Sequence, residues 1–189
     1  MKIRTFIAIP LDQEIKEKIT QFQEELKKEI VKGIKWVEAE SLHLTLKFLG
    51  DVEESQIDSI SQAMNLLLDK HPVFSFKISG LGIFPPHGLP NVIWAGITTA
   101  KDTLRSLSHS LDQEMQKFGV PLEGKEFSPH ITLGRAKKGA EIQGDYQKIL
   151  AEHSALPFGE QQVKSIILFK SDLQPKGPVY TPLYNLSLG

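Results

Sequence analysis

His43 and Thr45 stand two places apart in "SLHLTLKFLG", and His130 and Thr132 repeat the spacing in "SPHITLGR", 87 residues further on. Six His and eight Thr in 189 residues give roughly a quarter of one His-x-Thr by chance. Two, each followed by Leu, call for a physical reason. On a strand, alternate side chains share a face. His43, Thr45 and Lys47 then fall on one face, with Leu44, Leu46 and Phe48 on the other; His130 and Thr132 oppose Ile131 and Leu133 in the same way. The apolar faces require helices behind them, which leaves each polar pair on an open face. An imidazole titrates at about pH 6.5, so one of two facing histidines can hold a proton while the other accepts one. Such a pair can take a proton from one oxygen and give one to another during in-line attack at phosphorus. The threonine hydroxyls would hold the non-bridging oxygens.

The elements that must position these pairs also repeat. Displacing the chain by the same 87 residues lays "FIAIPLDQ" (6–13) on "IWAGITTA" (93–100), and 73–84 on 160–171. One period held over three segments is the mark of an internal repeat. The expected organisation is a single 1–189 domain with repeats at about 4–85 and 91–172 and a closing hairpin over 161–188. Ile15, Ile19, Phe22, Leu26 and Ile30 mark an amphipathic helix opened by Asp12. Leu104, Leu107, Leu111, Met115 and Phe118 mark its counterpart. Further helices follow each motif, through Ile57–Leu67 and around Tyr146–Leu150. Strands are expected over 4–9, 35–38, 43–49, 73–81, 91–98, 129–135, 161–169 and 179–188. The Gly/Pro cluster at 82–91 reads as the crossing between lobes. The pattern is α+β: a bilobal pseudo-twofold duplication, two mostly antiparallel sheets with helices outside and a central cleft between them.

Composition removes other classes. No cysteine is present, so there is no disulfide, thiolate metal site or thiol nucleophile, and no convincing set of metal ligands or cofactor motif emerges. A net charge of −1 excludes a general nucleic-acid coat, which needs many cations on one face. A local grip through Lys47, Arg135, Lys137 and Lys138 remains open, with Lys137 and Lys138 more simply read as solvated. Strict alternation puts Arg135 opposite His130, although its place beside Gly134 at a strand end would let a bulge turn it toward a phosphate. His71, His87, His109 and His153 read as connecting, exposed or packing residues. Trp36, Trp94 and Phe127 read first as core, with stacking of a base the alternative. The apolar run at the N-terminus is too short for a secretory core, and nothing approaches a membrane span, so a cytoplasmic protein is expected.

With those residues in hand, "RTFIAIPL", "IKWVEAESLHLTLKFLGDV", "FSPHITLGRA" and "LFKSDLQPKGPVYTPLYNLSL" resemble the LigT-like two-histidine phosphoesterases, over nearly the whole chain. The resemblance implies an RNA 2',3'-cyclic phosphodiesterase, also called a 2'-5' RNA ligase. His43 would be the proton donor to the leaving 3' oxygen and His130 the acceptor that activates water. Thr45 and Thr132, with Arg135 as a further candidate, would bind the phosphate. The implied partner is RNA with a 2',3'-cyclic phosphate end, tRNA halves among them, and the expected state is a monomer without cofactor or metal. Two rivals stay open: a sibling enzyme acting on a small cyclic phosphate or 2'-5' oligoadenylate, and a non-catalytic RNA-end binder.

Overall fold

The structure, a computed structural model, describes residues 1–30, 32–175 and 177–189. Its strands are β1 (Lys2–Pro10), β2 (Ile34–Trp36), β3 (His43–Glu53), β4 (Phe74–Phe84), β5 (Val92–Ile97), β6 (His130–Ala136), β7 (Pro157–Val163), β8 (Ser165–Gln174) and β9 (Gly177–Ser187). Its helices are α1 (Gln13–Glu29), α2 (Ile57–Leu68), α3 (Lys101–Met115) and α4 (Tyr146–Glu152). The strands pair antiparallel in the order β7-β4-β5-β6-β3-β1-β8-β9, with β2 added to β6. This order is symmetric about its centre. Two four-stranded sheets meet where β3 touches β6, through the Leu44–Ile131 pair.

The lobes are not contiguous halves of the chain. β4 lies beside β5 and β7, whereas β8, from the second half, lies beside β1. The crossing expected at 82–91 is therefore a hairpin connection within one lobe, because β4 and β5 pair with each other. The chain already crosses after β1, since α1 packs on β7 and β2 pairs with β6, returns at β3, and crosses again between α2 and β4. The expected strand over 161–169 divides at Lys164 into β7 and β8, which belong to opposite lobes. No Gly or Pro marks that break, so an uninterrupted run read as one strand.

The helices exchange as well. On α1, Ile15, Ile19, Phe22 and Leu26 are buried, and Phe22 meets Phe158 of β7 with ring centroids 5.6 Å apart. Gln23 donates from Nε2 to the Leu133 carbonyl of β6 at 2.8 Å. On α3, Leu104, Leu107, Leu111 and Met115 are buried, and Ser108 donates to the Leu46 carbonyl of β3 at 2.8 Å. Leu46 and Leu133 are themselves 87 residues apart, so each helix is tied to the same point of a motif strand. Asp12 does sit at the N-cap of α1, but its side chain makes no capping bond; its backbone N–H donates to Gln161 Oε1 at 2.7 Å. One apolar core runs beneath both sheets, leaving the opposite sheet face to the motif side chains.

Candidate active site

Leu44 and Ile131 face each other across the seam and are fully buried. In an antiparallel register the flanking positions then also oppose one another, His43 across from Thr132 and Thr45 across from His130. All four are half-buried on the face away from the helices. The two His-x-Thr pairs thus come together as one site, made of two half-sites.

Backbone geometry sets the tautomer of both rings. His43 Nδ1 lies 2.7 Å from the Ser41 carbonyl oxygen, and His130 Nδ1 lies 2.7 Å from that of Ser128. A carbonyl can only accept, so each Nδ1 carries the hydrogen and donates it. Each Nε2 is left with the lone pair that can take or return a proton. His43 Nε2 lies 2.9 Å from Thr45 Oγ1, so the hydroxyl is already within reach of the same reacting group.

Aromatic rings wall both histidines. His43 has Tyr180 edge-on at 5.3 Å and Phe6 at 5.0 Å; His130 has Phe84 edge-on at 4.9 Å and Trp94 at 6.4 Å. Trp94 therefore belongs to the cleft face and is not a core residue. Burial disfavours the imidazolium and lowers the pKa of His43 to about 4. The Ser41 carbonyl opposes that shift, while the charges of Arg135, His130 and Lys16 add to it. His130 is shallower and is also lowered, first by burial and then by Arg135, against the Ser128 carbonyl. Tyr180 is raised by burial, with Arg135 and Arg4 acting the other way.

Arg135 thus acts on both histidines, although strict alternation had put it on the far face. A bulge turns it. β5 pairs Trp94 with Thr132 but Ile93 with Gly134, so Leu133 is an extra residue in β6, and Leu133 and Gly134 are both buried. A Cβ at Gly134 would lie 2.7 Å from Ile34 Cγ2 and 3.0 Å from the Trp36 ring, so glycine is what permits the close approach. The same bulge occurs in β3, where β1 pairs Ala8 with Thr45 but Ile7 with Lys47. It reverses the expected places of Lys47 and Phe48. Lys47 leaves the cleft and is buried, its Nζ 2.6 Å from Asp112 of α3 and 2.9 Å from the Pro121 carbonyl. Phe48 takes the cleft face, its ring 5.9 Å from that of Phe6. Lys137 and Lys138 are exposed.

Phe6, Phe84, Phe169 and Tyr180 carried no site role on sequence grounds. Their signal was weak because aromatic residues in strands read equally well as core. The other histidines stay outside the site: His109 is exposed and bonded to Gln113, and His153 packs edge-on against Phe22.

A family model described as LigT like Phosphoesterase matches residues 9–94 and 97–180. The chain belongs to this family. The RNA 2',3'-cyclic phosphodiesterase of Thermotoga maritima is 37% identical over 182 residues, covering 96% of this chain and 94% of its relative. That of Methanothermobacter thermautotrophicus is 34% identical over 183 residues, covering 97% of each. Among solved structures, TT0787 of Thermus thermophilus superposes with a TM-score of 0.79 at 28% identity, covering 98% of each chain. Escherichia coli LigT complexed with 3'-AMP superposes with a TM-score of 0.77 at 25% identity, covering 100% of this chain and 99% of that one. In this LigT-like phosphoesterase the α+β fold and the pairing of two sheets about one seam are those of its structural relatives.

Proposed function

We propose that this phosphoesterase opens the 2',3'-cyclic phosphate at an RNA 3' end to a 2'-phosphomonoester by general acid–base catalysis between His43 and His130, without a metal. The observation that carries the reading is the matched pair of Nδ1–H···O=C bonds to Ser41 and Ser128. They point two Nε2 atoms, in one tautomer, at one seam.

In the hydrolytic step, His130 Nε2 takes a proton from water as the water oxygen bonds to phosphorus. The P–O3' bond breaks in line, and His43 Nε2–H gives its proton to O3'. The phosphate stays on O2'. The assignment of donor and acceptor follows the family resemblance, and the geometry supports it. His43 is the deeper group, with a pKa of about 4, so its charged form is a strong acid, well suited to a leaving alkoxide. His130 is the less deeply buried of the two. Thr45, Thr132 and Arg135 hold the non-bridging oxygens, where charge accumulates. Replacing water by a ribose hydroxyl and running the opening backwards gives 2'-5' ligation with the same two groups. Both half-sites come from one chain, so a monomer suffices. RNA carrying such an end, tRNA halves among them, is the proposed partner, and the cytoplasm the proposed compartment.

The test is incubation of EDTA-treated protein with a short RNA ending in a 2',3'-cyclic phosphate, beside a 2',3'-cyclic mononucleotide. Conversion of the RNA to a 2'-phosphate is the expected result. A 3'-phosphate product refutes the regiochemistry. Turnover of the mononucleotide alone moves the substrate to a small cyclic phosphate, and binding of the RNA without turnover leaves an RNA-end binder.

A further inference from the structure

β2 and β6 carry an arrangement that works against the stability of the fold. The two strands pair Lys35 with Arg135 directly across the ladder. Residues opposed in this way share a sheet face, and like charges there repel. The other face belongs to Ile34, which is buried, and to Ala136, which packs on the core. Lys35 therefore stands with Arg135 on the cleft face. Pairing continues past the end of β6, where the Lys137 N–H donates to the Gly33 carbonyl at 2.8 Å. Alternation then returns Lys137 to the face of Arg135.

No acid relieves this crowding. Residues 32–35 and 135–138 hold five cations, Lys32, Lys35, Arg135, Lys137 and Lys138, and no carboxylate. All five are exposed, and among the described residues none of them forms an ion pair. Other cations of the same sheets are matched: Lys47 with Asp112 at 2.6 Å, Lys170 with Asp172 at 3.1 Å. A local rule broken without compensation is expected at functional sites, and here the missing compensation is an anion.

The position suits a second phosphate beside the reacting one. Arg135 acts on both histidines, and Lys35 stands one strand spacing, about 4.8 Å, to its side. The Lys35 ammonium is turned to the opposite wall of the cleft, where a Cβ on Gly177 would lie 3.2 Å from Nζ. Gly177 opens β9, the strand whose Tyr180 ring meets His43 edge-on. Lys35 is thus held between β6 and β9, inside the cleft. An RNA whose cyclic phosphate sits at Arg135 brings a further anion, the phosphodiester that joins its terminal nucleotide to the chain. A nucleoside 2',3'-cyclic phosphate has no such group.

We propose that Lys35 and Lys137 form a second phosphate site, which binds the linkage 5' of the terminal nucleotide and makes RNA the preferred substrate over a mononucleotide. The proposal rests on the phosphodiesterase reading for the placement of the terminal phosphate. Lys32 and Lys138 add to the positive field at the outer end of the same ribbon.

Equilibrium binding tests this independently of turnover. Three probes are titrated against the full chain at several KCl concentrations. They are adenosine 2'-monophosphate, adenylyl-(3'→5')-adenosine carrying a terminal 2'-phosphate, and that dinucleotide with a neutral methylphosphonate linkage. Wild-type protein should bind the charged dinucleotide about tenfold more tightly than the mononucleotide, the lower end for a hydrogen bond to a charged group. The methylphosphonate should lose that gain in the wild type, with no substitution involved. The double variant Lys35→Gln, Lys137→Gln should lose it as well. Its dinucleotide binding should also become less salt-dependent, by about 0.7 in the log–log slope, the value for one phosphate contact on a single strand. Lys35→Arg should keep both the preference and the slope. A wild-type preference near one, a methylphosphonate bound as tightly as the charged dinucleotide, or an unchanged slope in the double variant overturns the proposal. Failure of the protein to open a cyclic phosphate, with preference and slope as expected, would count against the phosphodiesterase reading and not against the second phosphate site.

Discussion

The burial of His43 makes a quantitative prediction for the pH dependence of catalysis. Its pKa stands at about 4 against an ordinary 6.5, a penalty on the imidazolium of about 3 kcal/mol. At about pH 7 only roughly one free molecule in a thousand then carries the charged donor. Because kcat/KM reports the free enzyme, it should rise about tenfold per unit as the pH falls from about 8 to about 6.5. The rise should flatten as His130, itself lowered, begins to take its own proton, and reverse at lower pH, giving a bell with an acidic maximum. The bound phosphate is negative and favours the imidazolium, so the kcat profile should lie to the alkaline side of the kcat/KM profile. Initial rates on a short RNA ending in a 2',3'-cyclic phosphate, at saturating and sub-saturating concentration across about pH 4–9, measure both curves. A kcat/KM that is flat or increases between about pH 6.5 and 8 would falsify the claim that a buried imidazolium at His43 donates the proton.

Three substitutions probe the parts that place these groups. Asp112→Ala leaves Lys47 buried without its 2.6 Å partner and should destabilise the fold by about 3–5 kcal/mol; a urea midpoint within error of wild type would contradict the buried pair. Gly134→Ala drives a Cβ to 2.7 Å from Ile34 Cγ2, so a stability loss of about 1–3 kcal/mol is expected. Distortion of the bulge should also raise KM through Arg135, and an unchanged KM would separate the bulge from the site. Arg135→Gln removes a charge that lowers both histidines; the alkaline limb of kcat/KM should move to higher pH while KM increases, and a limb that stays fixed would show that Arg135 does not act on the pair.

Much of the site was legible because it rests on strand alternation and on a repeat. Two His-x-Thr pairs on half-exposed faces, 87 residues apart, follow from spacing alone, and so does the need for a common seam. The bulges were not legible in the same way. Whether Leu46 or Leu133 is an extra residue depends on which residues of β1 and β5 lie opposite, a fact of pairing that no single strand records. Gly134 was the one local hint, and it concerned only β6. In β3 the equivalent position is Lys47, whose charge suggested the cleft; its true partner, Asp112, is on a helix from the other half of the chain. The exchange of β4 and β8 between lobes was hidden for a related reason. β8 continues the apolar run of β7 without a Gly or Pro at the crossing, and the turn at 69–72 before β4 does not say which sheet the strand joins, so hydrophobic pattern gave the strands but not their neighbours.

The central claim is that His43 and His130 act as one acid–base unit. Single-turnover opening of an RNA 2',3'-cyclic phosphate by the wild type, His43→Ala, His130→Ala and the double variant tests it most directly, with urea midpoints confirming that each variant is folded. Each single change should slow the chemical step by about 10²–10⁴-fold. The double change should be little slower than the worse single, because groups that act together are lost together. Either histidine variant retaining a rate within about tenfold of wild type would contradict the account.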